Sequence, residues 1–558
     1  MQIFRDEVEK LLKKHVKDLS LLEVPPDRSL GDFAYPCFHL AKELKKSPVM
    51  IAQDLVKQIK PNKTIEKIVA NGSYLNFFID KSFKAKEVLS TIFKEKEKYG
   101  SQKNKQKIIV EYSQPNTHKE FHIGHLRNVC LGSTLINVLR YLGYQVIAAN
   151  YIGDIGNHVA KSLWCLKKYH AKEKITTRKG EYLGKIYAEA NKRIEDDPEL
   201  KEEVDQIHKK LEDKEKEWYD LWKETREWSL ADFNEIYKYL NAPFDICFYE
   251  SEVEEEGKKI SNLLLEKGIA IKDQGAILVD LDEYKLGKFL ILKKDGTSLY
   301  STKDLALAMR KFDEFNVDKS IYVVDARQKL YFQQLFKTLE LMGFKKDMFH
   351  LAYEFVTLPE GAMASRKGNV VLFTSLRDEI LVKVMEETRK RHQEWEEEKL
   401  DATVKAITLA AMKFEMVKYE NTNVVVFDRD QALNLEGETG PYVQYAHARC
   451  CSILKKANMK TVSKVDFSLL KEDQESKILK LLATYENTLT ETIKHYKPSL
   501  LARYALELAQ ALNEFYHYCK VVSEDKELMK ARLLLIFCVK EVLASALQLL
   551  VIEPLEEM

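Results

Sequence analysis

Glu111-Tyr-Ser-Gln-Pro-Asn-Thr-His-Lys-Glu-Phe-His-Ile-Gly-His-Leu-Arg-Asn128 is the stretch from which the fold can be read. Before it, Ile108-Ile-Val110 is a short apolar, β-branched run, the mark of a buried parallel strand. After it, Leu126, Val129, Ile136 and Leu139 recur at helical spacing, and Gly143 stops the helix. Tyr144 to Ala149 supplies a second strand. Together these make one βαβ unit. Sheets of such units take ligands beyond the carboxyl ends of their strands, where this loop lies. His122-Ile-Gly-His125 opens the helix, so its free N–H groups and dipole are expected to face an anion. Gly124 removes a side chain where a flat base could approach the backbone. His122 and His125 share one helical face, from which two imidazoles can donate to phosphate.

A histidine pair alone is more often a polar helix start than a ligand site. The preceding strand, the Pro115-Asn116 turn and the intervening glycine set this pair apart. The stretch resembles the HIGH signature of class I aminoacyl-tRNA synthetases. The spacing Glu111-(x)4-Asn116-(x)2-Lys119-(x)2-His122 resembles the arginyl-tRNA synthetase form of it, a far more specific pattern.

At 558 residues the chain is too long for one core, and about three or four domains are expected. Hydrophobic content of 45% and charged content of 31% describe a soluble globular protein. Lys+Arg 88 balance Asp+Glu 87, so any nucleic-acid surface must be a local patch. The eight cysteines include no C-x-x-C pair, which suggests neither a zinc site nor a disulfide framework and fits a cytoplasmic protein. The N-terminus lacks the apolar core of a signal peptide. The aliphatic run Leu533 to Val539 is closed by Arg532 and Lys540, far short of the roughly 20 residues of a membrane span.

The first segment reads as a small α+β module. Phe4, Val8, Leu11, Leu12 and Val16 form a helical stripe, Cys37 to Lys45 and Pro48 to Ile59 read as helices, and Tyr74 to Asp80 alternates like a strand after the Asn71-Gly72 turn. Through Gly31-Asp-Phe-Ala-Tyr and Asn71-Gly-Ser-Tyr-Leu-Asn-Phe-Phe it resembles the additional N-terminal domain of the same family. That resemblance implies contact of Asn71, Tyr74 and Asn76 with the tRNA elbow; core packing of Tyr74 is about equally expected. The Asn150 to His158 loop, glycine-rich at a strand end, resembles the family's loop near the substrate. Residues of about 170 to 240 read as a solvated helical insertion without catalytic content.

Phe289-Leu-Ile-Leu292 is expected to begin the second half of the sheet. Asp295-Gly296 reads as a hairpin turn, and Ser301 or Thr302 as the cap of a helix through Ala308. Ser320 to Asp325 reads as a buried strand, followed by a helix through Leu341. The resemblance implies an arginine pocket of Glu111, Gln114, Asn116, His125, Tyr300, Asp304 and Gln328. A planar cation with five donors suits carboxylates and amide oxygens. Ala362-Met-Ala-Ser-Arg-Lys-Gly-Asn369, before an expected strand Val370 to Phe373, resembles the second class I signature, the KMSKS loop. Ser365 stands at its second lysine, a role that Lys119 is implied to take over. By the same resemblance the catalytic set is His122, His125, Lys119, Arg366 and Lys367, and ATP meets His122, Gly124, His125, Met363 and Ser365. From Thr374 onward the pattern is helical and resembles a DALR-type anticodon-binding domain, with Tyr442, Tyr445, His447 and Arg449 as tRNA contacts.

The expected fold class is α/β: a Rossmann-type parallel-sheet catalytic domain, a small N-terminal α+β domain and an all-α C-terminal bundle. The expected bounds are 1–98, 99–373 with a helical insertion at about 165–288, and 374–558. The implied activity is ATP-dependent activation of L-arginine and its transfer to the terminal ribose of its tRNA, by a monomer using ATP with Mg²⁺ and no structural metal. A class I synthetase for another amino acid, a nucleotidyltransferase and a non-catalytic tRNA-binding relative remain open at this point.

Overall fold

The computed structural model describes residues 2–25, 27, 30–359, 371–457 and 465–558. The chain opens with α1 (Gln2–Leu12) and β1 (Phe33–Pro36). It continues through α2 (Ala41–Leu44), α3 (Pro48–Gln58), β2 (Ile65–Asn71), β3 (Tyr74–Ile79) and α4 (Lys81–Glu95). The three strands form an antiparallel sheet with β3 in the middle, and Gly72 takes the left-handed turn between β2 and β3 at φ 57.

The parallel-sheet half is built on β4 (Lys107–Glu111), α5 (Ile123–Tyr141), β5 (Gln145–Ile152) and α6 (Asn157–Tyr169). The insertion follows as α7 (Lys179–Asp196), α8 (Leu200–Glu212) and α9 (Lys216–Tyr239), then β6 (Ile246–Tyr249) and α10 (Glu250–Glu266). Next, β7 (Ala270–Asp273), β8 (Ala276–Asp280) and β9 (Lys288–Leu292) form a separate antiparallel sheet. The chain returns with α11 (Tyr300–Phe315), β10 (Lys319–Asp325), α12 (Lys329–Leu341), β11 (Asp347–Tyr353) and β12 (Val356–Thr357). The central sheet is five-stranded in the order β11-β10-β4-β5-β6, every neighbour parallel. Strand order reverses between β4 and β10, so their carboxyl ends, at Glu111 and Asp325, flank the switch-point crevice.

Alternation along β4 serves two cores. Ile108 and Val110 pack with α5 and the C-terminal helices, while Ile109 packs with α10, α11 and α12. The insertion carries a third core, with Trp164, Tyr182, Trp218 and Trp222 buried among α6 to α9. It is therefore a packed unit, unlike the solvated arm expected from its charge. Phe289 to Leu292 is also not a strand of the central sheet. It is β9, which pairs with β8 and lies beneath the start of α11. That helix begins at Tyr300, earlier than expected, and runs to Phe315. Thr302 caps it from inside, its Oγ1 accepting the Leu299 N–H at 2.9 Å.

The C-terminal part is α13 (Phe373–Arg391), α14 (Glu397–Val417), β13 (Val425–Val426), α15 (Arg429–Ala432), α16 (Gly440–Lys456), α17 (Asp473–Lys494), α18 (Pro498–Tyr518) and α19 (Lys526–Leu549). The expected strand ending at Phe373 is replaced by the start of α13. Among its described residues the bundle carries one two-residue strand, β13, which pairs in parallel with β12 across the expected domain bound. Arg127, fully buried on α5, bridges the same junction. Its guanidinium donates to the carbonyls of Phe355, Glu420 and Asn423 at 3.3, 3.3 and 2.9 Å and lies over the Tyr353 ring. No described helix is long and apolar enough to cross a membrane.

Gly257 on α10 lets that helix cross α11 closely. A Cβ there would sit 2.2 Å from the Thr302 carbonyl oxygen, a backbone atom with no rotamer to yield. Gly257→Ala should lower stability by about 1–3 kcal/mol despite its better helix propensity. Denaturant unfolding of both proteins checks this, and an equal or higher midpoint would show that α10 shifts freely.

Candidate active site

The loop between β4 and α5 has no regular backbone ladder, and three of its non-glycine residues are left-handed: Ser113 at φ 77, Gln114 at φ 49 and His118 at φ 62. Such conformations cost of order 1–3 kcal/mol each and persist where surroundings over-determine them. Here they do. The Ser113 N–H donates to Asn128 Oδ1 at 2.6 Å, and its hydroxyl meets Tyr237 at 2.8 Å. The Gln114 N–H donates to Asn150 Oδ1 at 3.1 Å, and the Thr117 N–H to the Gly153 carbonyl at 2.9 Å. His118 donates its N–H to Ser229 Oγ at 2.9 Å, and its ring sits between the Thr117 and Thr225 hydroxyls. Burial holds the His118 imidazole down to about 3, so it is a neutral fitting. Thr225, Ser229 and Tyr237 all lie on α9. The insertion therefore shapes the histidine loop, a role the sequence reading missed.

His122 caps α5 through its own ring. Its Nδ1 accepts the Gly124 N–H at 3.1 Å, and His125 Nδ1 accepts the His122 N–H at 3.2 Å. The two rings stack with centroids 3.8 Å apart, and His125 also lies 4.9 Å from the Phe121 ring. Burial, with lesser help from the Lys119 and Arg327 charges, lowers His122 to about 4, and burial also holds His125 well below the usual imidazole range. Both rings are thus neutral at pH 7. Because each Nδ1 accepts a backbone proton, each ring carries its hydrogen on Nε2. This corrects the expectation of free helix N–H groups. Gly124 and His122 donate within the cap, Ile123 donates to the Val371 carbonyl at 3.1 Å, and His125 donates to the His122 carbonyl at 2.9 Å. The donors left for an anion are the two imidazole Nε2–H groups. Gly124 has a local reason as well, since a Cβ there would lie 2.9 Å from His122 Cε1.

The residues after the second signature are fastened to the first. Val371 accepts from Ile123, Leu372 bridges His122, and the Phe373 N–H donates to the Phe121 carbonyl at 3.0 Å. Met363, Ser365, Arg366 and Lys367 lie outside the described residues.

Glu111 ends β4 and is buried. Its Oε1 accepts from Gln114 Nε2 at 2.9 Å, and its Oε2 bonds the ammonium of Lys311 on α11. Asp304 lies nearby on the same helix. Its Oδ2 accepts from Tyr331 on α12, while Oδ1 is buried with no hydrogen-bond partner among the described residues. Desolvation raises the Asp304 carboxyl to about 7, with the Glu111 and Glu250 charges adding to it. A buried carboxylate oxygen with nothing to bond is a site for a cation. Lys311 and Tyr331 were not found from the sequence, although Lys311 lies two helical turns beyond Asp304 on one face. Tyr300 stands at the rim of a cavity of about 300 Å³, shared with Lys119, His158, Tyr187, Glu250 and Lys303. The Lys119 ammonium lies 5.1 Å above the Tyr187 ring, and Lys303 bonds Glu250 at 2.8 Å. Asn116 bridges Gly153, where any Cβ would strike its Oδ1 at 2.2 Å. Gln328 is exposed at the end of β10, preceding α12, next to Arg327.

The expected tRNA contacts divide. Asn71 is exposed at the hairpin, and Tyr74 is half-buried, edge-on to Phe38 at 5.6 Å, but Asn76 is buried mid-sheet. On α16, Tyr442 and His447 are buried rather than exposed. Asn513 donates to the Tyr442 hydroxyl at 2.7 Å, and His447 Nδ1 bonds the Leu555 carbonyl at 2.8 Å, tying down the chain end. Tyr445 and Arg449 stay accessible. The Arg449 guanidinium lies over the Tyr445 and Tyr516 rings at 4.8 and 5.1 Å. Cys165, His170 and Glu189 bring possible ligand atoms within 4.8 Å, but Arg193 already bonds Glu189 at 2.7 Å and opposes a dication there.

Three family models match the chain: the arginyl tRNA synthetase N terminal domain over residues 1–79, the tRNA synthetases class I (R) catalytic domain over 88–429, and the DALR anticodon binding domain over 443–558. Arginine–tRNA ligase of Clostridioides difficile strain 630 is 38% identical over 568 residues, covering all of both chains. That of Bdellovibrio bacteriovorus is 39% identical over 546 residues, 96% of this chain and 93% of its own. Among solved structures, Thermus thermophilus arginyl-tRNA synthetase superposes with a TM-score of 0.83 at 26% identity, covering all of both chains.

Nitrogen-15 spectra of histidine-labelled protein near neutral pH should show His122 and His125 as neutral Nε2–H tautomers. Protonation on Nδ1 of either ring, or an imidazolium, would contradict the cap geometry.

Proposed function

We propose a division of labour among the residues of this chain, which belongs to the arginyl-tRNA synthetase family and is a class I arginine–tRNA ligase. The reaction joins the arginine carboxylate to the α-phosphate of ATP, releases pyrophosphate, and passes the arginyl group to the 3′ terminal ribose of tRNA with release of AMP. No covalent enzyme intermediate is needed, so the protein's part is positioning and electrostatic stabilisation. Two observations carry the reading: a buried carboxylate with an oxygen unpartnered among the described residues, close to Glu111 at the switch point of the sheet, and two neutral Nε2–H donors on the loop that follows β4.

His122 and His125 donate to ATP phosphate oxygens, and neutral rings suit this because they give a hydrogen without holding a proton that ATP could take. Adenine lies against the backbone at Gly124. ATP enters as its Mg²⁺ complex, the metal being part of the substrate. Lys119, with Arg366 and Lys367 of the second signature, meets the leaving pyrophosphate; Met363 and Ser365 complete the ATP contacts. The hydrogen bonds from 121–123 to 371–373 support this reading by fixing one end of that segment at the histidines. Asp304 Oδ1 takes the guanidinium, with Tyr300, Asn116, Gln114 and Gln328 around the ligand and Glu111 behind Gln114. At the ends of the chain, Asn71 and Tyr74 would meet the tRNA elbow, and Tyr445 with Arg449 the anticodon. Asn76, Tyr442 and His447 would support those surfaces from beneath. The division into 1–98, 99–373 and 374–558 follows from these roles.

ATP–pyrophosphate exchange and aminoacylation with arginine and with lysine test the assignment. Asp304→Asn should weaken arginine by roughly 2 kcal/mol or more, the range for losing one partner of a buried charge pair, with ATP binding unchanged. Since burial raises the Asp304 carboxyl to about 7 and only its ionised form attracts a cation, arginine affinity should rise as pH is raised through that value, with proton release on binding. Wild-type charging of lysine at a rate comparable to arginine would end the arginine reading, and exchange lost altogether would favour a non-catalytic relative.

Lys119→Ala should damage adenylate formation more than Lys367→Ala, because Ser365 stands where the second signature has its second lysine. Near-wild-type rates in both single variants would move pyrophosphate stabilisation to other residues.

A further inference from the structure

Lys311 takes no part in the roles above, yet it is one of the largest fully buried side chains of the protein. A lysine at zero exposure is retained only when its charge is matched, and the match here is specific. Its ammonium bonds Glu111 Oε2 and stands 4.0 Å above the centre of the Tyr322 ring, so strand, helix and ring fix it on three sides. Glu111 is then matched by Lys311 and Glu250 by Lys303, and among the described residues Asp304 Oδ1 is left as the unmatched acceptor. We propose that Lys311 is a positioning residue for the amino-acid substrate: by pairing with Glu111 it keeps Asp304 the single ionised acceptor that a guanidinium meets.

This rests on the arginine pocket assigned above. Without Lys311, Glu111 would be a second unpaired carboxylate beside Asp304, and two such groups share a proton rather than both ionise. The groups that face Asp304 are Glu111 from β4, Tyr151 from β5, Glu250 from α10, Tyr300 and Lys311 from its own helix, Tyr322 from β10 and Tyr331 from α12. Lys303 is already bound to Glu250, which leaves Lys311 as the cation that answers Glu111.

The test is arginine-dependent ATP–pyrophosphate exchange, with tRNA present, from about pH 6 to about pH 9. It compares wild type with Lys311→Met, Lys311→Arg and the double variant Glu111→Gln/Lys311→Met. Lys311→Met should move the pH at which kcat/KM for arginine levels off to the alkaline side. Near neutral pH the loss should be on the order of tenfold, the change that one unit in the acceptor's pKa makes below its midpoint. KM for ATP should not change. Lys311→Arg should keep the wild-type midpoint, and so should the double variant, which removes both charges and leaves Asp304 alone. An unmoved midpoint in folded Lys311→Met overturns the proposal. A midpoint still displaced in the double variant also overturns it, since lost packing would then be the cause. If Lys311→Met does not fold, the double variant decides by itself: a wild-type midpoint supports the proposal and a displaced one refutes it. Failure of the pocket reading is separate, because Asp304→Asn would then leave arginine dependence intact.

Discussion

A buried backbone without a ladder must find its hydrogen bonds elsewhere, and the histidine loop is such a segment. Between Glu111 and His122 the chain joins no ladder, although the Tyr112 N–H reaches the Ala149 carbonyl of β5 and the Phe121 carbonyl accepts from Phe373 at the start of α13. Asn128 from the following helix, Asn150 and Gly153 from the neighbouring strand end, and Ser229 from the insertion serve instead. The left-handed angles at Ser113, Gln114 and His118 are tolerated because these partners leave the chain no cheaper path. The site is thus a product of several elements. The parallel sheet sets where it lies, and polar side chains from α5, β5 and α9 set its shape.

The same loop explains what was legible in the sequence. Strand, helix and strand around it follow from local periodicity, and the β-branched run at Ile108 to Val110 packs on both faces as a buried parallel strand should. The family resemblance singled out Asp304 and Glu111, two carboxylates that the structure brings close together. Their partners were not legible, because Lys311 and Tyr331 reach the pocket through packing of α11 and α12 rather than through any local pattern. The insertion misled for a related reason. Its Lys and Glu content describes its outer face, while Trp164, Trp218 and Trp222 close a core and three polar side chains of α9 turn inward. Tyr442 and His447 misled in the opposite sense, since aromatic residues on a helix read alike whether they stack on a base or hold a chain end.

Electrostatically the crevice keeps neutral and charged groups apart. The histidines lose charge by burial, and the hydrogen bonds at Nδ1 point the remaining donor of each ring one way. Around the carboxylates the protein holds its cations in pairs, Lys311 with Glu111 and Lys303 with Glu250. Ligand charges would therefore meet preset partners instead of solvent, which is how fixed dipoles and charges lower a barrier without reorganising.

Arg127 gives the junction between the halves a different meaning from that of a linker. Its guanidinium takes carbonyls from both sides, Phe355 before the expected bound and Glu420 and Asn423 after it, while α5 itself packs against α14. A fragment that stopped at 373 would lose the Glu420 and Asn423 acceptors of Arg127, along with the apolar cover of α5. Separate genes for the two halves would each encode an incomplete fold. The C-terminal helices finish the parallel-sheet half as well as following it, so the seam is part of one packed core and not a tether between two.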